Sequence, residues 1–395
     1  MKDTFCTVAW HEINFYLNER TVKYCCRVHP SNSLQLKDNE KLTIDLINNN
    51  NALNRRRDAL LNGIQHPHCD KCWTQEANNE ISYRQINSRP QLEEAIKQNS
   101  STHHIRNIEM VFDNICNQSC LYCVPELSSI IAKELGIEQR LLSHTKDDVD
   151  TVIGWLSDLC LSTTNKKHIR FTGGEPTASH NWAYFMERIQ SIPVIRDHDI
   201  NFYVVTNGNI NDKVRDTLDE YVKQFNITLN FSNEATGVVS ENVRFGSNWE
   251  LWCKNFEHYV SNNNLKGIMI SPTPNIFTIK ELPKFLEYVI TTVGTNKEFG
   301  INPNLLTNPS EYVTNQLPAS FKKYIQQART ILDNSNMNWQ NERNRNNAYR
   351  WLQSIEDSLG TKDLDRTALE QALQKQWEQK SGKLNKEVLL SQITE

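Results

Sequence analysis

The sequence predicts an α/β protein built on a partial (β/α)6 barrel of the TIM type. Three observations carry that expectation. Six candidate strands alternate with five amphipathic stretches between about residues 104 and 305. Each amphipathic stretch is long enough for the crossover helix that neighbouring parallel strands require. Two distinctive short motifs, "CNQSCLYC" and "TGGEP", stand directly after the first and second strand candidates. On such a scaffold the chemistry collects at the carboxyl ends of the strands.

The elements follow in order. Residues 1–100 hold five of the ten cysteines and show little regular alternation. Within them "EINFYLNERTVKYCC" reads as a hairpin, with a polar turn near Asn18–Arg20 between two strands. "NALNRRRDALLNG" reads as a short helix with apolar positions at 53, 60 and 61, and with Arg55, Arg56 and Arg57 on a solvated face.

Strands are expected at 105–113, 168–174, 200–208, 227–233 and 266–273, with a weaker sixth at 299–306. The stretches between them, such as "DDVDTVIGWLSDLCL" and "NWELWCKNFEHYV", place apolar residues at helical spacing. Cys160 and Cys253 sit on such apolar faces, where a thiol packs as a small hydrophobe. From 311 to 395 the chain reads as polar helices, with Trp339, Trp351 and Trp377 packing them down. Three regions result: 1–100, 101–310 and 311–395.

Composition excludes several function classes. The net charge over 395 residues is only −4, and no basic stripe suggests a stable nucleic-acid partner. No stretch approaches the roughly 18–20 apolar residues that cross a bilayer. The N-terminus lacks the basic-then-apolar build of a signal peptide. Ten cysteines in that context point to a reducing compartment, and a cytoplasmic location is expected.

Cys116, Cys120 and Cys123 fill one eight-residue loop with spacing C-x3-C-x2-C. A structural zinc site needs four ligands, the fourth being available from His103 or His104. A [4Fe–4S] cube suits three thiolates better, because it leaves one iron open to a small molecule. In "TGGEP", paired Gly173 and Gly174 permit close backbone approach to a ligand. Glu175 and nearby carbonyls supply acceptors for an α-amine.

These two motifs together resemble the radical S-adenosylmethionine (radical SAM) superfamily. Its C-x3-C-x-aromatic-C loop is matched by Cys116, Cys120, Tyr122 and Cys123, and its GGEP motif by Gly173, Gly174, Glu175 and Pro176. The resemblance implies a SAM-binding [4Fe–4S] cluster whose open iron takes the amine and carboxylate of SAM. It implies reductive cleavage to a 5′-deoxyadenosyl radical that abstracts hydrogen from substrate. Tyr122 would flank the adenine, while Glu175 and the GGEP backbone would hold the amine. Family members also place polar residues after the third and fourth strands; Thr206, Asn207 and Ser232 stand there, and equally suit ordinary turns.

The N-terminal cysteines resemble the auxiliary-cluster modules called SPASM or twitch domains. Phe5, Cys6, Trp10, Cys25, Cys26, Cys69, Cys72 and Glu76 match an N-terminal form of that pattern. The resemblance implies a second, auxiliary [4Fe–4S] cluster on Cys6, Cys25, Cys69 and Cys72, with Cys25 preferred to Cys26. A structural zinc competes at this site, and His66 or His68 offers an alternative ligand. Two positions depart from the pattern: Ala9 replaces the proline before the tryptophan, and Arg20 replaces a turn glycine.

The expected function is a radical SAM enzyme acting on a small molecule, a nucleotide-linked compound or a peptide. An electron donor such as flavodoxin or ferredoxin would supply it. The competing class is a non-catalytic iron–sulfur or zinc protein. No recognition winged helix is evident near a terminus, which weighs against a peptide. Arg244 could reach a substrate anion, although an ordinary surface arginine is the commoner case.

Overall fold

A computed structural model describes residues 4–28, 33–37, 40–77, 82–88, 90–98, 104–137 and 145–394. His103 and the division near residue 100 lie outside them. The chain forms two compact units, each discontinuous in sequence. The described residues of the first fall within Met1–Asp113, Arg140–Gly173 and Ser179–Phe202; those of the second within Asn114–Gln139, Gly174–Ala178 and Tyr203–Glu395.

The first unit is built on β1 (Glu12–Tyr16), β2 (Thr21–Lys23), β3 (Leu34–Gln35), β4 (Asn107–Val111) and β5 (Lys167–Thr172). β1 pairs antiparallel with β2, and β2 with β3. The other pairings are parallel: Ile13 of β1 lies opposite Ile108 of β4, and Met110 lies opposite Phe171 of β5. Alternation sends Phe15 and Phe171 to one face, where Phe15 meets Trp155 of the helix Thr145–Ser162 and Phe171 meets Phe185 of the helix His180–Gln190. The other face carries Glu12, Asn14, Glu109 and Arg170, and there Tyr16 donates to Glu109 at 2.8 Å.

The hairpin is present, and it does more than the sequence pattern indicates. β1 is hydrogen-bonded in parallel to β4, so the cysteine-rich segment extends the parallel strands. Local alternation carries no information about which strand a strand will join. Arg20, which replaces the pattern's glycine, takes the left-handed conformation (φ 51°) that the turn demands. Its guanidinium is held by Asp148 at 2.9 Å, with both side chains buried, and by the Glu40 carbonyl. A fixed ion pair thus offsets the backbone strain.

The helix Asn51–Leu61 corrects one expectation. Its buried face is Leu53, Arg56 and Leu60, and Leu61 is exposed. Positions 53, 56 and 60 share a helical face, whereas 61 is rotated away from it. Arg56 is 4% exposed and donates to the Tyr24 carbonyl, and Arg57 donates to the Ala9 carbonyl. Only Arg55 of the three keeps the solvated position expected of all of them.

β6 (Ile200–Thr206) is divided between the units. The second unit continues with β7 (Asn226–Phe231), β8 (Gly267–Ile270) and β9 (Glu298–Ile301), paired in parallel in that order. The helices Asp212–Gln224, Trp249–Ser261 and Leu282–Val293 alternate with them as expected. Phe231, Trp252 and Phe256 form an aromatic core beneath β7. β9 ends earlier than the 299–306 pattern suggests; Asn344 brackets Ile301 with one accepted and one donated backbone bond.

Among the described residues, four helices from Lys322 onward complete this unit, and Trp351 packs there with its indole donating to the Asn304 carbonyl. Cys160 is buried as expected, but Cys253 is half-exposed and lines a surface groove with Trp249 and Lys254. Among the described residues no helix is long and apolar enough to cross a membrane.

Candidate functional site

The loop carrying Cys116, Cys120 and Cys123 belongs to the second unit and is fixed mainly through its backbone. Ser119 N–H donates to the Phe245 carbonyl at 2.7 Å, and Leu121 N–H to the Val243 carbonyl at 2.9 Å. Ser128 Oγ donates to the Gln118 carbonyl, and Ser129 N–H to that of Asn114. The three thiols are free and half-exposed. Burial pushes all three upward in pKa, Cys116 to about 12, and metal binding by thiols releases their protons. They are not gathered within 4.8 Å of one another as ligands of a single ion would be. A three-thiol donor set that leaves one ligand position open suits an iron–sulfur cube better than zinc.

The glycines of "TGGEP" are required by geometry. Gly173 has φ 115°, and a Cβ there would meet Val111 at 2.7 Å. A Cβ on Gly174 would lie 2.2 Å from the Ile115 carbonyl oxygen, a backbone overlap that no rotamer relieves. Glu175 N–H donates to that same carbonyl at 2.6 Å, so the turn lies flat against the start of the cysteine loop.

Glu175 is 3% exposed, and both oxygens of its carboxylate already have internal donors. Thr177 gives its N–H and its hydroxyl to Oε1, and Asn207 N–H donates to Oε2 at 2.6 Å. Burial raises the carboxyl pKa, and these hydrogen bonds oppose the rise. The side chain therefore staples the turn after β5 to the end of β6. Pro176 is buried beside it.

The other expected SAM contacts cluster around the same staple. Asn207 Nδ2 donates to Asn117 Oδ1, next to Cys116, at 2.5 Å. Thr206 is buried and its hydroxyl accepts from Gly208 N–H. Ser232 is half-buried, and its N–H donates to the Thr206 carbonyl at 2.8 Å.

Two charged residues complete the site in a way the sequence does not reveal. Tyr122 donates its hydroxyl to Glu234 Oε1 at 2.8 Å, and Arg244 pairs with Glu234 Oε2 at 2.6 Å. The Arg244 guanidinium lies 5.7 Å from the Tyr122 ring centre. Arg244 is thus neither a surface residue nor free for a substrate anion; it is buried and neutralised. Only folding brings Glu234 and Arg244 onto the tyrosine of a loop more than a hundred residues earlier.

The N-terminal cysteines lie in the first unit. Cys6, Cys25, Cys69 and Cys72 all line one pocket, which Arg56 and His68 share. Cys26 is exposed and does not line it; its N–H donates to Glu12 Oε1 at 3.0 Å. His66 accepts from His68 N–H in the same turn. Burial pushes Cys6 up to about 12 and Cys69 up to about 11, while the Arg56 cation pulls both down.

The carboxylate of Glu76 takes two bonds from Arg84, whose third nitrogen donates to the Phe5 carbonyl beside Cys6. That bridge ties the helix Asp70–Ala77, which carries Cys72, to the segment carrying Cys6, and no motif in the sequence marks Arg84 for the role. The pocket's four thiols also lie outside single-ion spacing. Among the described residues, the three-ligand group that meets that spacing is Glu12, Cys25 and Cys26.

The model of the radical SAM superfamily matches residues 110–289. The radical SAM cyclopropyl synthase TigE of Paramaledivibacter caminithermalis is 29% identical over 160 residues, or 38% of this chain and 31% of that protein. The chain thus matches about a third of that relative's length. Among solved structures, SuiB of Streptococcus suis bound to S-adenosylmethionine aligns over 83% of this chain and 71% of its own, at 13% identity and TM-score 0.42. TYW1 with a lysine-pyruvate adduct aligns over 59% and 75%, at 15% identity and TM-score 0.37. The superfamily model's match covers both the cysteine loop and the GGEP turn.

Proposed function

We propose that the protein is a radical SAM enzyme with one auxiliary iron–sulfur cluster. The observation that carries the proposal is the bonded contact between a three-thiol loop and the GGE turn, through Ile115, Glu175 and Asn207. When bound, the cluster and SAM supply one-electron cleavage of the sulfonium, and with it a hydrogen-abstracting radical. Cys116, Cys120 and Cys123 hold the cluster. The Tyr122 ring flanks the adenine, oriented by Glu234 and Arg244, and Thr206, Asn207 and Ser232 line the same site.

Glu175 and the GGEP backbone hold the methionine amine. The same carboxylate also holds the turn through Thr177 and Asn207, and main-chain carbonyls of the 173–176 segment supply the further acceptors. Cys6, Cys25, Cys69 and Cys72 hold the auxiliary cluster within the 1–100 segment. The domain proper is 101–310, followed by a helical extension from 311 to 395. The substrate is a small molecule, a nucleotide-linked compound or a peptide, and a flavodoxin- or ferredoxin-type donor supplies the electron.

The test is anaerobic reconstitution followed by SAM and dithionite. 5′-Deoxyadenosine is expected from the native protein and none from Cys120→Ala. A filled cluster that yields no product would refute the enzyme assignment. About eight irons per chain supports two cubes; about four irons with one zinc makes the N-terminal site a zinc site.

A further inference from the structure

The C-terminal helices have so far only packed, yet one residue of theirs reaches the cysteine loop. Lys380 caps the helix Arg366–Gln379, and its side chain is 1% exposed. Its ammonium donates to Ser119 Oγ at 2.9 Å, to Gln376 Oε1 at 2.9 Å and to Glu134 Oε2 at 3.3 Å. All three ammonium donors are therefore used.

Ser119 Oγ in turn donates to Glu134 Oε2 at 2.6 Å. The ammonium also sits 5.5 Å over the Phe245 ring, and the Phe245 carbonyl accepts from Ser119 N–H. Ser119 is itself buried, and it adjoins Cys120. Burying an ammonium is costly unless it is paired and fully bonded. This one bonds the side chain of a residue that stands between two cluster-ligand candidates, Cys116 and Cys120. The same helical region is fastened elsewhere by Asn385 N–H to Asn242 Oδ1.

We propose that Lys380 is a positioning residue for the cysteine loop, and that Lys380 and Glu134 shift the reduction potential of the cluster bound there in opposite directions. The inference rests on the function proposed above. A cluster gains negative charge when reduced, so a nearby buried cation favours the reduced form and a nearby anion opposes it. The C-terminal extension thereby belongs to the working site.

Two measurements test it. In the metal-free protein, hydrogen exchange at the Ser119 and Leu121 amides should speed at least tenfold in Lys380→Met and stay near native in Lys380→Arg. In reconstituted protein without SAM, redox titration followed by EPR should show opposite shifts. Lys380→Met lowers the midpoint, Glu134→Gln raises it, and the double variant returns near the native value.

Shifts of the same sign, or none in either single variant, overturn the electrostatic role. Unchanged exchange overturns the positioning role. Should Lys380→Met fail to fold, Glu134→Gln keeps the ammonium and its other two acceptors and decides the sign alone. A native protein that takes up no SAM-responsive cluster overturns the proposed function, while amide exchange still judges the positioning.

Discussion

The two cysteine sites are assembled in opposite ways. Cys116, Cys120 and Cys123 come from one loop, and eight residues of sequence nearly specify the site. Cys6, Cys25, Cys69 and Cys72 come from three separate segments that meet in one pocket. The loop is held by backbone bonds to Val243 and Phe245 and by buried charge behind Tyr122. The pocket is held by arginines, with Arg56 on the Tyr24 carbonyl and Arg84 between Glu76 and Phe5. A local site can be lost through one backbone clash, whereas a distributed one depends on long-range polar anchors.

The sharpest break in that comparison is Gly174→Ala. The added carbon overlaps the Ile115 carbonyl, so the loop should lose its cluster entirely while the N-terminal pocket still binds iron. Iron content and EPR of the reconstituted protein read this directly. Next in size, Cys25→Ala should empty the N-terminal pocket while Cys26→Ala leaves it filled, as judged by iron per chain. Equal loss in both variants would mean that the ligand assignment is wrong.

Glu234→Gln leaves Arg244 as a buried, unpaired cation. Urea unfolding of the metal-free protein should show a loss of about 3–5 kcal/mol. Removing Arg56 strands the buried Tyr24 carbonyl and should cost about 1–3 kcal/mol by the same assay. Its exposed neighbour provides the control: Arg55→Ala should change stability by less than about 0.5 kcal/mol.

Much of this architecture is legible in the sequence. Strands and helices alternate from β4 through β9 as the pattern predicts, because each element reports its own periodicity through local packing. The cysteine spacing and "TGGEP" are legible because their geometry is set within one loop and one turn. The parallel pairing of β1 with β4 is not, since strand alternation is blind to partners.

Burial of Arg56 is hidden for a related reason. Helical periodicity marks a face, but an arginine enters that face only where a carbonyl waits for it. The same holds for Arg20, whose substitution for glycine makes sense only beside Asp148.

The sequence by itself determined the chemistry on offer: thiols in threes and fours, paired glycines, and the strand ends that carry them. Tertiary structure alone decided which charges stand behind that chemistry. Glu234 reaches Tyr122, Lys380 reaches Ser119, and Glu175 turns inward to Thr177 and Asn207. The physical reason is that a ligand motif is fixed by covalent spacing, whereas a buried charge is placed by whatever partner the fold brings within hydrogen-bond reach.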